Sequence, residues 1–341
     1  MAVRKEVLRY VLTFAALVVL AAPAACEAAE VNWSAVRPAG ITLFYPGAAS
    51  WEFVTGEDHR LGSREIKQER KDCRYCHLSK AGELDLKTDE IAAGKLHMKK
   101  SRDPFEPDPV PGKIGTLDTT VQAAYDKDFI YIRVQWPSKG ASWHAKNGSG
   151  VVRDRVSLQL NKASAAFRKY GCFISCHNDL NSMPKSPSKK MLSGDPYYSR
   201  LGRDDVRLYA FYARDSWSKR KSEKELERLL SAGYSMDLWS AEFIEASVQA
   251  LDGWILEDRL WEDNPSIEAS GGWSDNRYAA VFKRTLKAKD GHDIDIKEGD
   301  VFSFGLAVHD DAAAKRRHYV SFPFTLGIGA DADIKAVKIG N

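Results

Sequence analysis

The stretch VQAAYDKDFIYIRVQW, residues 121–136, contains two runs of β-branched and aromatic residues joined by a polar turn. Such runs on either side of a short polar segment are typical of a β-hairpin, and Asp126-Lys127-Asp128 forms the turn here. The second run alternates, with Phe129, Tyr131 and Arg133 on one face and Ile130, Ile132 and Val134 on the other. The stretch therefore predicts two antiparallel strands with distinct faces.

Similar runs recur along the chain and predict more strands. They are RVSLQL at 155–160, VRLYAFYAR at 206–214, RYAAVFKRTL at 277–286, VFSFGLAV at 301–308 and HYVSFPFTLGI at 318–328. Their number and spacing predict a mainly β fold, an antiparallel β-sandwich. One helix interrupts the strands, because SEKELERLLSAG at 222–233 has Ser222 and Glu225 as a capping box and Gly233 as a stop signal.

The chain before residue 108 has a different texture. Residues 30–105 are rich in glycine and turn-forming residues and show little strict alternation. SRDPFEPDPVPGK, residues 101–113, then brings four prolines, which exclude a helix and disfavour a central strand. We expect a small, largely irregular domain with a proline-rich linker over 29–108, followed by a β-sandwich domain over 109–341.

The first residues predict export. MAVRKEVLRY is basic, VLTFAALVVLAAPAA at 11–25 carries no charge, and small residues follow, which is the pattern of a signal peptide over 1–28. The apolar run is shorter than the roughly 20 residues of a membrane-spanning helix, so we expect a periplasmic protein with no transmembrane segment in the mature chain. Cleavage could follow Ala24 or Ala28, and Cys26 would allow a lipoprotein, although Pro23 fits that pattern poorly.

The composition indicates a folded protein, with 44% hydrophobic and 28% charged residues. The formal net charge of +3 gives no strong excess of basic residues, so nucleic acid is not an expected partner. Apart from Cys26, the cysteines form two pairs, and a histidine directly follows each pair. This arrangement favours a covalently bound cofactor over structural disulfides.

The first pair lies in CRYCH, residues 73–77, which has the C-x-x-C-H pattern of haem attachment. Cys73 and Cys76 can form thioethers with the two vinyl groups of the porphyrin, and the adjacent His77 can supply the proximal iron ligand. A zinc site would need two further ligands at similar spacing, and this motif lacks them. The motif therefore predicts one haem c and makes the segment over 29–108 a c-type haem domain.

The second pair lies in CFISCH, residues 172–177, where three residues separate the cysteines instead of two. The extra residue does not move Cys176 relative to His177, so one thioether and the iron bond keep their usual geometry. Only the branch through Cys172 has to bulge. The alternative is a disulfide between Cys172 and Cys176, but the regular motif elsewhere in an exported chain favours a second haem c.

The distal ligands of the two irons decide the function. An iron with protein ligands on both faces transfers electrons, whereas an open face can bind or activate a small molecule. The remaining histidines and later methionines that could serve are His59, His97, His144, His292, His309, His318, Met98, Met183, Met191 and Met236. Position in the sequence alone does not choose among them.

Several segments, taken in order, resemble the ethylbenzene-dehydrogenase-related family of haem-binding domains, also described as cytochrome c-552/DMSO-reductase-like. They are VQAAYDKDFIYIRVQW, DRVSLQL, GCFISCHNDLNSMP, MDLWSAEF and KRRHYVSFPFTLGI, within about residues 108–335. The resemblance implies a β-sandwich that holds one haem between loops. Within the family, the chain resembles the branch of diheme c-type cytochromes, which implies two haem c groups.

The resemblance also implies ligands. In this family a lysine stands just before the strand that here reads YVSFPF, which puts His318 in the distal position opposite His177, with Met183 as the competing ligand. GEDHRLG, residues 56–62, resembles the segment before the C-x-x-C-H motif in diheme relatives. This makes His59 the distal candidate for the first haem, and His97 and Met98 are its rivals.

Two acidic segments raise the question of a metal. DGHDIDIKEGD, residues 290–300, is acidic enough to suggest calcium, but it lacks the EF-hand spacing, and a hairpin loop explains it more simply. His309, Asp310 and Asp311 could bind a metal or act as acid–base groups. A solvated loop between two strands is the simpler interpretation of these three residues.

Together these patterns predict an exported diheme c-type cytochrome, an electron-transfer protein rather than a catalyst. We expect redox partners, with a membrane cytochrome b or quinol dehydrogenase as donor and a terminal reductase or oxidase as acceptor. One alternative is a haem enzyme with an open iron site that acts on a small molecule. Another alternative is the haem subunit of a molybdenum oxidoreductase complex.

Overall fold

The computed structural model describes residues 31–45, 71–97, 104–106, 109, 112–140, 153–175, 187–200, 202, 209–216, 218–311, 313 and 317–340. The strands are β1 Ala39–Phe44, β2 Thr116–Tyr125, β3 Phe129–Pro137, β4 Arg155–Asn161, β5 Met236–Ile244, β6 Ser247–Ile255, β7 Arg259–Trp261, β8 Ile267–Ser274, β9 Arg277–Thr285, β10 Val301–His309, β11 Tyr319–Val320, β12 Phe324–Ile328 and β13 Ile334–Lys338. The helices are α1 Cys73–His77, α2 Thr88–Ala92, α3 Ala165–Tyr170, α4 Cys172–Ser175, α5 Lys189–Gly194, α6 Pro196–Arg200 and α7 Glu223–Ser231, with 3-10 turns at Trp33–Ala35 and Phe211–Ala213.

The strands of the described residues form one hydrogen-bonded sheet. Its order is β7-β6-β5-β4-β10-β11-β1-β2-β3-β9-β8, and β12 and β13 make a second connection between β10 and β2. Neighbours along the main order are antiparallel, whereas β12–β13 and β13–β2 are parallel. The sheet curls until β8 contacts β5 and β6. The prediction of a mainly β, antiparallel fold is confirmed.

The main core lies between the inward faces of this curled sheet. Inward positions alternate along each strand, as in Ile130, Ile132 and Val134 of β3, which are fully buried. Burying one such side chain contributes roughly 1.5–3 kcal/mol. The outward Phe129 and Tyr131 pack instead in a smaller cluster with Val36. The predicted hairpin and its two faces are confirmed.

The predicted helix is also confirmed. It runs over Glu223–Ser231, and Ser222 and Glu225 form the capping box at its start. The backbone N–H of Ser222 donates to the Glu225 carboxylate over 3.1 Å. Leu226 faces inward and is buried, so this amphipathic helix covers a secondary apolar cluster.

The strand predicted over residues 206–214 is wrong for the part of it that the structure describes, residues 209–214. In VRLYAFYAR, residues 206–208 lie outside the described residues, and Phe211–Ala213 forms a 3-10 turn. Ala210 adopts a positive φ of 32°, and its backbone N–H donates to the Ser175 carbonyl over 3.2 Å. The apolar side chains therefore pack on the α7 region as an irregular segment, with Ala213 beside Leu226.

The segment before residue 108 contributes β1 to the sheet. The described residues group into one compact unit, and β1 lies between β11 and β2. The Tyr45 hydroxyl, which follows β1, donates to buried Glu106 over 2.7 Å. Much of the proline-rich linker and the predicted signal peptide lie outside the described residues, so the division into domains stays a prediction.

Candidate haem site

A second apolar cluster lies on the outer face of the sheet, where β1, β10 and β11 are neighbours. Its buried members are Phe44, Phe173, Ala307, Val320 and Phe322, and we call it the outer-face cluster. On β10 it alternates with the main core, because the flanking residues of Ala307 face inward. The first motif and the described part of the second meet this cluster.

The first motif forms the short helix α1. Asp72 is its N-cap, and the Asp72 side chain accepts from the backbone N–H of Tyr75 over 3.3 Å. Residues three and four positions apart lie on one side of a helix, so Cys73, Cys76 and His77 point in similar directions. The helical turn therefore presents two thiols and one imidazole together.

Ion pairs fix α1 to the sheet. The Arg74 guanidinium lies 2.9 Å from the carboxylates of both Asp72 and Asp333, and Asp333 also accepts from the backbone and the hydroxyl of Thr325 at the start of β12. Burial alone would raise the pKa of Asp333, but the bonds from Thr325 and the charge of Arg74 outweigh it and lower that pKa. The orientation of α1 is thus set by the β12–β13 region.

Cys73 contacts the segment that leads into the second motif. Its thiol donates to the backbone carbonyl of Lys169 over 3.2 Å, and Lys169 stands three residues before Cys172. Burial, together with the charge of Asp72, raises the pKa of the Cys73 thiol to about 12. The Cys76 side chain is exposed. The start of α1 therefore contacts the end of α3, immediately before the second motif.

The described part of the second motif is the buried turn α4. Cys172 packs against Gly305 of β10, where an added Cβ would lie 3.0 Å from the Cys172 sulfur. Gly171 has a positive φ of 57° and packs on Pro323, which turns the chain from α3 into α4. The Ser175 hydroxyl bonds to the Gln159 side chain of β4. Cys176, His177 and Met183 lie outside the described residues.

Aromatic contacts join the motifs on the outer-face cluster. Phe173 of α4 stacks on Phe44 with ring centroids 5.8 Å apart, and Phe322 lies 4.6 Å from Phe44. The His77 ring of α1 stacks on Phe322 at 5.9 Å and 15°. One apolar surface thus supports the histidine of the first motif and the interior of the second.

The predicted distal residue His318 is buried, with 2% of its surface exposed. Its ring stacks on that of His309 at the end of β10, with centroids 4.3 Å apart and planes within 11°. His309 belongs to the same β10 face as Ala307, and His318 to the same alternation as Val320 and Phe322. His318 therefore continues the outer face along which the cluster lies.

The solvated-loop interpretation of His309 and Asp310 is wrong, because both residues are 8% exposed. The Ser138 hydroxyl donates to Asp310 over 3.0 Å, and burial raises the pKa of this carboxyl to about 6, with Asp154 adding to the effect. Asp311 is exposed and has a positive φ. Alternation on β10 was the sequence signal that could have identified His309 as a residue of the outer face.

Among the candidates for the distal ligand of the first haem, the structure describes only His97. His97 is exposed and forms an isolated β-bridge with Pro104. His59 and Met98 lie outside the described residues.

The residues present fit a c-type haem. Thiol and imidazole donors lie on one side of α1, and the absence of a side chain at Gly305 leaves room for the Cys172 sulfur. The surrounding surface is apolar and aromatic, which suits a porphyrin. Fold and site together are those expected of a mainly β protein that binds haem.

Comparison with known proteins agrees with this class. The model of the ethylbenzene dehydrogenase family matches residues 31–321, and the chain belongs to that family. Cytochrome c-552 of Stutzerimonas stutzeri is 28% identical over 92% of this chain and 93% of its own length. Cytochrome c-551 of Rhodocyclus tenuis is 25% identical over 90% of this chain and 99% of its own length. The predicted family resemblance is confirmed.

A solved carbohydrate-binding module of family 9 from Caldicellulosiruptor kristjanssonii aligns over 62% of this chain and 69% of that chain, with 8% identity and a TM-score of 0.27.

Among the described residues, no helix combines the length and apolar character needed to cross a lipid bilayer.

Proposed function

We propose that the chain binds two haem c groups and transfers electrons through them. Cys73 and Cys76 would hold the first, with His77 on the iron, and Cys172 and Cys176 would hold the second, with His177 on the iron. The observation that carries this proposal is that the first motif and the described part of the second, Cys172–Ser175, lie on one surface; the Cys73 sulfur lies 3.2 Å from the carbonyl of Lys169, three residues before Cys172.

The outer-face cluster supports electron transfer between the two groups. Phe322 contacts the proximal histidine of the first motif, and Phe173 lies inside the second. The rings of Phe173 and Phe322 are 6.4 Å apart, so aromatic contacts join His77 of the first motif to the described part of the second. A bound haem supplies an iron that cycles between the ferric and ferrous states. In this proposal the outer-face cluster would hold the two haems near each other beside apolar side chains.

For the second haem, His318 is the proposed distal ligand and Met183 its competitor. His318 is buried on the outer face, which supports this role, and the stack on His309 restricts the orientation of its ring. For the first haem, His59 is the proposed distal ligand, with His97 and Met98 as rivals. Ligands on both faces of each iron favour electron transfer over substrate chemistry.

We further propose that the mature protein is periplasmic and that its partners are redox proteins. The two relatives that carry cytochrome c names support redox partners. A membrane cytochrome b or quinol dehydrogenase would donate electrons, and a terminal reductase or oxidase would accept them. The basic N-terminal segment followed by an uncharged run supports export.

Cysteine variants test the proposal, with covalent haem counted by intact mass and haemochrome absorbance. The double variant Cys73→Ser/Cys76→Ser and the double variant Cys172→Ser/Cys176→Ser should each keep one haem of the two. Cys26→Ser is the matched control and should keep both, because Cys26 lies in the predicted signal peptide. If the second double variant binds as much covalent haem as the unmodified protein, CFISCH is not an attachment site.

A further inference from the structure

Three buried carboxylates lie together away from the cysteine motifs. Asp237 is on β5, Asp252 on β6 and Asp293 in the segment between β9 and β10, and one oxygen from each lies within 4.8 Å of the other two. Asp237 and Asp252 approach each other because β5 and β6 pair with Trp239 opposite Asp252, which makes the two aspartates diagonal neighbours. We call these three residues the aspartate cluster.

The charge of the aspartate cluster is only partly compensated. Arg284 of β9 is fully buried and lies 3.0 Å from an oxygen of Asp237 and 3.5 Å from one of Asp293. Three carboxylates and one guanidinium leave two uncompensated negative charges. The nearby Lys289 is partly exposed and pairs with Glu262. An unbalanced buried charge is costly, so the site needs either bound protons or a bound cation.

Asp252 supplies a separate observation. This residue has no exposed surface, and its Oδ2 accepts from the backbone N–H and the hydroxyl of Ser266 over 2.7 and 2.6 Å. Its Oδ1 is buried and accepts a hydrogen bond from no described residue. A buried carboxylate oxygen without a donor costs free energy, and this oxygen belongs to the carboxylate that completes the aspartate cluster.

We propose that Asp237, Asp252 and Asp293 bind a divalent cation of the calcium class. Calcium prefers oxygen ligands at about 2.4 Å, so two ligands of one ion lie at most about 4.8 Å apart, as the three oxygens do. A divalent ion also cancels the two remaining negative charges.

The existing hydrogen bonds of the cluster leave carboxylate lone pairs available to such an ion. Asp237 accepts from Trp239, Arg284 and the Ile294 backbone, which uses three of the roughly four lone-pair positions of a carboxylate. These donors fix the Asp237 carboxylate and leave one lone pair for a metal. Asp252 keeps both lone pairs of Oδ1. Waters would complete the six to eight ligands that calcium takes.

A second acidic group connects the site with solvent. Glu262 and Asp290 each place an oxygen within 4.8 Å of one another and of Asp293, and Asp290 is exposed. Asp293 is therefore shared between the buried cluster and an outer pair of carboxylates. A hydrated cation could lose water in stages along this path. The acidic segment at 290–300 thus takes part in a metal site although it lacks EF-hand spacing.

The test uses the full-length haem-loaded protein, stripped with chelator and dialysed, at pH 7.5. Equilibrium dialysis with radioactive calcium should give one bound ion per chain. Calcium at a hundredfold excess over the dissociation constant should raise the melting temperature by roughly 5 °C relative to chelator. Magnesium should give a smaller shift, because it demands stricter octahedral geometry.

Variants assign the ion to the cluster. Asp252→Asn can still accept from Ser266 but loses a negative ligand, so calcium affinity should fall at least tenfold. Asp331→Asn is the control, because Asp331 is an exposed carboxylate that pairs only with Lys335 among the described ion pairs, and it should bind calcium normally. If Asp252→Asn does not fold, Asp293→Asn replaces it.

Absence of calcium binding to the stripped unmodified protein would overturn the proposal and leave protons to neutralise the carboxylates. Equal calcium affinity of Asp252→Asn and Asp331→Asn would overturn it as well. The haem count is measured on the same samples. Calcium binding by a chain with one haem would support this site and refute the diheme proposal separately.

Discussion

Gly305 of β10 should accept a side chain poorly, because the Cys172 sulfur occupies the space beside it. In Gly305→Ala the new Cβ would lie 3.0 Å from the Cys172 sulfur and 3.2 Å from the ring of Phe167. Ordinary contacts at these atoms need at least a few tenths of an ångström more, so β10 or α4 must shift. Overpacking of this kind costs about 1–3 kcal/mol of unfolding free energy.

Gly272→Ala is the matched control. Gly272 also lies in a strand, β8, and an added Cβ meets nothing within 4 Å. Denaturant unfolding should therefore show Gly305→Ala to be destabilised by about 1–3 kcal/mol and Gly272→Ala to change little. The displaced Cys172 should also reduce covalent haem at CFISCH. Equal stability and equal haem content of the two variants would refute the packing of Cys172 on Gly305.

Three further predictions concern the same surface. Phe322→Ala should lower the free energy of unfolding by about 3 kcal/mol, because Phe322 is buried against Phe44 and Phe173. Phe322→Leu should cost less than half as much. Urea unfolding measures both losses, and equal losses would contradict the packing of Phe322 in the outer-face cluster. Asp333→Asn should cost about 0.5–1 kcal/mol at pH 7. The pKa of Asp333 is lower in the folded than in the unfolded state, so the stability that its carboxylate contributes is present above the unfolded pKa of 3.8 and is lost as the pH falls through the folded pKa. If Asp333→Asn still lowers the free energy of unfolding by the same amount at pH 2, the pair with Arg74 does not stabilise the fold. His318→Ala should let carbon monoxide bind the ferrous protein and change its spectrum, and an unchanged spectrum would remove His318 from the iron.

Local patterns sufficed to predict much of the fold. The alternation of Ile130, Ile132 and Val134 is a property of neighbouring residues, and it correctly gave β3 and its inward face. The capping box at Ser222 and Glu225 is equally local. Such features can be read without knowing what the segment packs against.

Features that depend on distant partners could not be read in this way. β1 lies in a segment whose sequence looks irregular, and its Phe44 pairs with Val320, far along the chain. The pairing that makes this segment a strand is therefore not visible in the local sequence. The aromatic residues around Tyr209 resembled a strand, but packing against α7 and the positive φ of Ala210 override that propensity.

The cysteine motifs were evident from spacing alone, whereas the surface that joins them was not. The contact of Cys73 with Lys169 spans 96 positions in the sequence. His309 looked like part of a polar loop because Asp310 and Asp311 follow it, although it ends a buried strand and stacks on His318. The contact of Cys73 with Lys169 needs α1 to meet α3, and the stack of His309 on His318 needs β10 to pair with β11.

The number of haem groups covalently bound to one mature chain tests the central claim most directly. Intact mass spectrometry of the native protein, with haemochrome absorbance and iron content on the same sample, gives this number. Two haems per chain are predicted, one at CRYCH and one at CFISCH. A single haem, with Cys172 and Cys176 recovered as free thiols or as a disulfide, would contradict the account.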